Sequence, residues 1–302
     1  MRIGLDIGGT KTDAVAIGAD GRELARVRRV SGFGADQVVG CAEEAVREVV
    51  RRTGGRLTDV TGVGVGIPGV VDAATGRVRH AVNLGVAEVP LADLLSKRLG
   101  AAVIVENDVK AAALGAWHLL RLTGSAALLN VGTGLSAGIV VGGRVWRGPR
   151  GTAGEIGHAP VDPAGVACSC GQTGCLETLA SGSAIARLWR TGAALPAVDL
   201  FDRADAGEAA AMRVRGVFVD GVAQAVRMLV LSVDVETIVI GGGLSGLGER
   251  LQAPLREVFH HWAAASPFLA SLDLPGRTCL LPAGTPAAAV GAAMLGTVPQ
   301  LA

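Results

Sequence analysis

Cys168, Cys170 and Cys175 follow His158 within one short glycine-rich stretch. Three thiols and an imidazole are the usual ligands of a closed tetrahedral zinc site. Gly171 and Gly174 allow the tight turns that bring three sulfurs to one ion. A disulfide is the competing reading, but a C-x-C pair is too close to bridge easily and nothing else in the chain points to an oxidising compartment. The polar residues around this knot suggest further chemistry. Glu155 and His158 lead into it, three positions apart, so one helical turn would bring them together. Glu177 leaves it. Carboxylates suit the adjacent hydroxyls of a hexose, and His158 can serve twice, with one ring nitrogen on zinc and the other toward a sugar hydroxyl. The bland reading of Glu155 and Glu177 is solvated surface.

Three glycine turns form a second set. Asp6-Ile-Gly8-Gly9-Thr10-Lys11 opens the chain, Gly132-Thr133-Gly134 lies in its middle, and Gly241-Gly242-Gly243 comes late. Glycines let backbone N–H groups reach phosphate oxygens. Thr10 adds a hydroxyl and Lys11 a point charge, in a chain with 25 arginines and only three lysines. Asp6, at the end of a strand, suits the water shell of a magnesium ion. Each turn alone reads equally as a hairpin; the three together point to a nucleotide. In Glu106-Asn107-Asp108 a strand ends and a helix begins. Asp108 reads either as the helix N-cap or as a general base that removes the proton of an attacking sugar hydroxyl. Asn107 offers amide donors and acceptors to neighbouring hydroxyls. Lys110 is two positions from Asp108, so on a helix the two do not face each other, and it receives no role. His80, His118, His260 and His261 carry no motif.

The elements that must position these residues follow from periodicity. Strands are expected over 2–7, 12–18 and 22–30, then a helix over 36–52 with Val38, Val39, Ala42, Ala45, Val46, Val49 and Val50 on one face. The strand over 60–67 alternates Val63, Val65 and Ile67 with glycines, so something must pack very close to its bare face. A strand over 102–105 and a helix over 108–121 follow. Leu129–Gly134 can be laid over Leu5–Thr10, each leading into an apolar strand and a glycine turn, which suggests an internal duplication. Beyond the knot, helices are expected over 180–190, 207–231, 246–261 and 286–297, with a strand over 235–240. The domain boundary falls near 108–112. Residues 1–110 make a small α/β domain to which the terminal segment 286–302 returns, and residues 111–285 make a larger one that carries the knot.

Composition narrows the class. The 302 residues, half of them hydrophobic, suffice for two cores. Twenty-eight basic against 27 acidic residues leave no footprint for nucleic acid or an anionic membrane. Asp6 interrupts any secretory leader. The uncharged stretch 278–302 is broken by Pro282, Pro286 and Pro299, which favours a buried helix over a span. A cytoplasmic location is expected.

Together these segments resemble the ROK family of repressors, open reading frames and sugar kinases. The likeness runs nearly end to end: DIGGTK at 6–11, GIPGVVD at 66–72, ENDV at 106–109, VGTGLSAGIVVGGR at 131–144, AGEIGH at 153–158, CSCGQTGCLE at 168–177 and IVIGGGLS at 238–245. It implies the actin-like ATPase fold of hexokinase type (ribonuclease H-like), with two α/β domains around a cleft. It implies ATP-dependent phosphorylation of a hexose 6-hydroxyl, glucose first, with N-acetylglucosamine, N-acetylmannosamine or a non-catalytic sugar sensor as alternatives. By this likeness Asp108 is the base, and Gly69, Asn107, Glu155, His158 and Glu177 contact the sugar. Asp6, Gly9, Thr10, Lys11, Thr133, Gly134 and Gly242 serve Mg²⁺ and ATP, and His158, Cys168, Cys170 and Cys175 bind structural Zn²⁺. A homodimer is the family expectation. The helix-turn-helix of the family's repressors would precede the first strand, which here begins at residue 2. Two departures stand out: Lys110 replaces a small polar residue common in the family, and the segment Asn83–Leu91 lacks a tryptophan often found there.

Overall fold

Residues 1–295 are described by a computed structural model, in which the chain alternates strands and helices. The first stretch runs β1 (Arg2–Ile7), β2 (Lys11–Ile17), β3 (Glu23–Val30), α1 (Ala35–Arg52), β4 (Gly62–Ile67), β5 (Val70–Asp72), β6 (Arg77–Ala81), β7 (Val86–Val89), α2 (Leu91–Leu99), β8 (Val103–Asn107) and α3 (Asp108–Leu119). Then come β9 (Ser125–Val131), β10 (Leu135–Val141), β11 (Arg144–Val145), α4 (Gly182–Leu188), α5 (Pro196–Asp205) and α6 (Ala209–Val233). The chain closes with β12 (Thr237–Gly241), α7 (Glu249–Ala265), α8 (Pro267–Ser271), α9 (Leu274–Arg277), β13 (Thr278–Leu280) and α10 (Ala287–Met294).

Two five-stranded sheets share one strand order, β3-β2-β1-β4-β8 and β11-β10-β9-β12-β13, beside a small meander β5-β6-β7. In the first, β1, β2 and β3 are antiparallel neighbours, and β4 and β8 join in parallel. In the second, β10 and β11 are antiparallel, and β9, β12 and β13 run parallel. The matching orders give the internal repeat a structural counterpart.

Helix α1 buries the same seven apolar residues that its spacing marks out, with Asp36 in its first turn and Arg51 and Arg52 in its last, each sign matched to the helix dipole. The bare face of β4 is also explained. A Cβ on Gly64 would lie 1.8 Å from the Ala292 carbonyl oxygen, and one on Gly4 1.9 Å from that of Ala289. Helix α10 therefore rests directly on strand backbone. It meets α3 as closely, since Cβ atoms on Gly115 and Gly291 would lie 1.8 Å from the carbonyl oxygens of Ala287 and Ala111.

The chain divides into two compact units. One holds Met1–Gly124, Gly138–Ala153 and the described residues from Pro286 on; the other holds Ser125–Ala137 and Gly154–Thr285. The first unit thus extends past the residue-110 limit drawn from sequence, because the glycine contacts of α3 with α10 bind that helix to it. Residues 296–302 of the expected returning segment lie outside the described residues. In the second unit Phe201 of α5 meets Phe218 of α6 edge to face, with ring centroids 6.2 Å apart. Among the described residues α6 is the helix long and apolar enough to cross a bilayer, but half of that stretch is buried within the fold, against α5 and α7 among others.

Candidate active site and metal cluster

In the first unit the turn between β1 and β2 is a tight hairpin, closed by the Gly8 N–H donating to the Lys11 carbonyl at 2.9 Å. Gly9, Thr10 and Lys11 are exposed on it. Asn83 backs the turn, 3.1 Å from where a Gly9 Cβ would stand. Asp6 lies opposite Asp13 of β2 on one side and Gly66 of β4 on the other. Burial first, then the charges of Asp108 and Asp13, push its carboxyl up to about 7. Against its own burial, Asp13 is held below the ordinary range by Arg28 and Arg26, the Arg28 contact being 2.8 Å.

Gly66 separates Asp6 from the β8–α3 junction. It pairs with Glu106, and its missing side chain leaves room for the Asp108 Cα, which lies 3.4 Å from where a Gly66 Cβ would stand. The strand runs two residues past its expected end, through Asn107, and Asn107, not Asp108, is the helix N-cap. The Asn107 Oδ1 accepts from the N–H groups of Val109 at 3.0 Å and Lys110 at 3.2 Å. Asp108 is the first helical residue, and its Oδ1 also accepts from the Val109 N–H at 2.9 Å. The Asn107 Nδ2 points to the Gly69 carbonyl at 3.4 Å, which brings these two expected sugar contacts together. Gly69 has φ +104°, and a Cβ there would lie 2.6 Å from the Arg79 carbonyl oxygen, so only glycine fits.

In the second unit the Gly132–Gly134 turn is closed by the Gly132 N–H on the Gly134 carbonyl at 3.0 Å. It is tied to the start of α4 by the N–H groups of Gly182 and Ser183, which donate to Gly132 and Thr133. Gly242 follows β12 with φ +84°, pressed against the Val131 carbonyl. A cavity of about 700 Å³ opens here, lined by Gly132, Thr133, Ser183, Leu195, Leu244 and Leu247 among others. The apolar wall was not legible in the sequence, because Leu195 lies in a segment without a motif and Leu244 follows a glycine turn read only for phosphate contacts. Glu177 reaches the same turn: its Oε2 accepts from the Leu135 N–H at 2.8 Å, and a Cβ on Gly134 would lie 2.6 Å from that oxygen. The structure thus joins an expected sugar ligand to an expected nucleotide loop.

Glu155 precedes a short 3₁₀ turn, Ile156–His158, whose His158 N–H donates to the Glu155 carbonyl at 3.1 Å. Glu155 is exposed and His158 partly buried. Gly174, at φ +72°, lies against the Asp162 carbonyl where no side chain fits. The ligand atoms of His158, Cys168, Cys170 and Cys175 all lie within 4.8 Å of one another. The Cys168 Sγ is 3.7 Å from His158 Nδ1, and the Cys170 and Cys175 sulfurs are 3.6 Å apart. Nδ1 is therefore the nitrogen that faces the thiols. The Gln172 amide donates to Cys170 and draws its thiol down to about 6, while burial, then Cys170 and Cys168, push Cys175 up to about 12. A divalent cation would stabilise the thiolate forms, and the donor set fits zinc.

A family model described as "ROK family" matches residues 2–297. The Thermotoga maritima protein named glucokinase is 36% identical over 287 residues, which cover 84% of this chain and 86% of that one. The crystal structure of a ROK hexokinase from Thermus thermophilus superposes with a TM-score of 0.80 at 32% identity, covering 97% of this chain and 96% of the other. A ROK family glucokinase from Streptomyces griseus, solved in complex with glucose and AMPPNP, gives 0.78 at 30% identity over 97% and 98%. The fold is that of these kinases, the actin-like ATPase fold.

Proposed function

The chain belongs to the ROK family, and we propose that it is an ATP-dependent sugar kinase acting on the 6-hydroxyl of a hexose, glucose first. The observation that carries this reading is the β8–α3 junction, where Asn107 caps the helix and Asp108 stands as its first residue. The Streptomyces griseus relative, bound to glucose and an ATP analogue, supports it.

In the proposed reaction the Asp108 carboxylate accepts the proton of the sugar 6-hydroxyl as that oxygen bonds to the γ-phosphorus. The bond from the γ-phosphorus to the β,γ-bridging oxygen breaks, ADP leaves, and Asp108 returns its proton to solvent. Glu155, His158 and Glu177 hold the hexose hydroxyls, with Asn107 Nδ2 and the Gly69 backbone as further contacts. Gly9, Thr10 and Lys11 serve the triphosphate; Thr133 lines the cavity proposed for the nucleoside, and Gly134 and Gly242, next to its lining residues Thr133 and Gly243, serve the same nucleotide. Bound magnesium would supply charge to the triphosphate, its water shell on Asp6. Bound zinc, on His158, Cys168, Cys170 and Cys175, would supply rigidity by fixing the imidazole ring. A homodimer in the cytoplasm, without nucleic-acid or membrane partners, completes the proposal; five free cysteines and a net charge of +1 are in keeping with it.

A coupled ADP-release assay over hexoses and N-acetylhexosamines, with ATP and polyphosphate as donors, tests the reading. Glucose with ATP should give the highest kcat/KM. Absence of sugar-dependent ADP release over the whole panel would sink it.

A further inference from the structure

Two buried charges beside the proposed base have no part in that reaction. Glu106 is 2% exposed and Lys110 4%. Among the described residues the Lys110 ammonium makes one hydrogen bond, donating to the Gly151 carbonyl at 2.8 Å, and no ion pair. A buried ammonium without a counter-ion is costly, and a methionine would fill the same space without that cost. Glu106 is fully engaged: its Oε1 accepts from the Asn107 N–H at 2.9 Å and its Oε2 from Arg147 Nε at 2.5 Å. Arg147 is itself mostly buried, its side chain 15% exposed.

The two links are in register. Each spans 41 residues, so 106 and 110 meet 147 and 151, and Asp108 lies midway. The loop between the anchors is braced on itself, with the Gly151 N–H donating to Gly148 at 3.2 Å and the Ala153 N–H to Arg147 at 3.0 Å. Gly148 and Gly151 take φ +70° and +73°, as this tight course requires. Immediately after Ala153 the chain continues into Gly154, Glu155 and His158.

We propose that Lys110 and the Glu106–Arg147 pair are positioning residues that clamp loop 147–153 to the turn carrying Asp108, and so fix the point from which the chain runs into its hexose ligands. The inference rests on the kinase reading above. It accounts for a lysine in a site where a neutral residue would be cheaper to bury: the ammonium donates to the Gly151 carbonyl at 2.8 Å, and an apolar side chain of the same length has no donor to offer.

Lys110→Met keeps the stem and removes charge and donor; Lys110→Gln keeps a donor. On the full chain, Lys110→Met should raise the hexose KM on the order of tenfold and leave the ATP KM within about twofold, the scale expected of a displaced substrate contact. Lys110→Gln should recover part of that loss. A merely structural lysine would lower the folded fraction, hence apparent kcat, and leave both KM values alone. An unchanged hexose KM in folded Lys110→Met, an equal shift in both KM values, or no recovery in Lys110→Gln overturns the proposal. If Lys110→Met does not fold, Arg147→Met opens the other end of the clamp and should show the same split. Glucose affinity by calorimetry on wild type and variant reads the clamp independently of turnover, so a wild type that binds glucose but releases no ADP counts against the kinase reading alone.

Discussion

Asp6→Asn isolates an electrostatic cost held near the end of β1. The Asp6 carboxyl is pushed from its ordinary 3.8 to about 7, by burial first and then by Asp108 and Asp13. In the unfolded chain it ionises near its ordinary value. Between roughly pH 4 and pH 7 the folded protein therefore retains a proton that the unfolded chain has released, and stability falls as pH rises through that window, then levels off. Three pKa units at about 1.4 kcal/mol each set the scale of the loss at about 4 kcal/mol, an order-of-magnitude figure for a partly buried carboxylate beside two others, with Arg26 and Arg28 opposing the shift. Asparagine keeps the shape and removes the charge. In chelator, without nucleotide, the variant should match wild type near pH 4.5 and exceed it at pH 8 by several degrees in Tm, at roughly 2 °C per kcal/mol for a chain of this size. Thermal unfolding by circular dichroism at half-unit pH steps measures the difference curve. A difference that stays flat from pH 4.5 to 8 would falsify the claim that folding takes the partly buried Asp6 out of water beside Asp108 and Asp13.

Three more outcomes are expected. Asp108→Asn should bind hexose normally and lose turnover by about 10²–10⁴, the typical worth of a general base; near-normal kcat in a folded variant removes Asp108 from its role. Cys170→Ser should lose bound metal, read by elemental analysis, and hexose affinity with it, and a metal-free variant that still binds glucose tightly breaks the link between the knot and the sugar. Gly64→Ala places a methyl 1.8 Å from the Ala292 carbonyl, so α10 must move; overpacking of this kind costs about 1–3 kcal/mol or more, and an unchanged Tm would show that the helix does not rest on the strand.

The long, strongly patterned elements were legible. The seven buried residues of α1 and the bare glycine face of β4 follow from periodicities of 3.6 and 2. The small meander β5–β7, α2 and α5 escape such a reading, because short strands and a ten-residue helix begun by Pro196 carry too few repeats to stand above the alanine and glycine background. In the site, the thiol knot was legible because its ligands are local. Asp108 stays ambiguous in sequence, since a shift of one residue in the helix start decides whether it or Asn107 is the cap. Lys110 gives no signal there because its partner, Gly151, is a backbone carbonyl that no side-chain pattern announces.

What the sequence by itself determined is the chemistry available: thiols and an imidazole for a soft cation, carboxylates for hydroxyls and a proton, glycine turns for phosphates. Residue type and near-neighbour spacing suffice for that, because each group acts over a few ångströms of chain. The tertiary structure decided which groups are matched. It backed the glycine face of β4 with α10, attached Glu177 to the Gly134 turn, turned Nδ1 of His158 toward the sulfurs, and bolted the Asp108 turn to residues 147 and 151. Those contacts join residues far apart in the chain, and only packing and the satisfaction of buried polar groups select them.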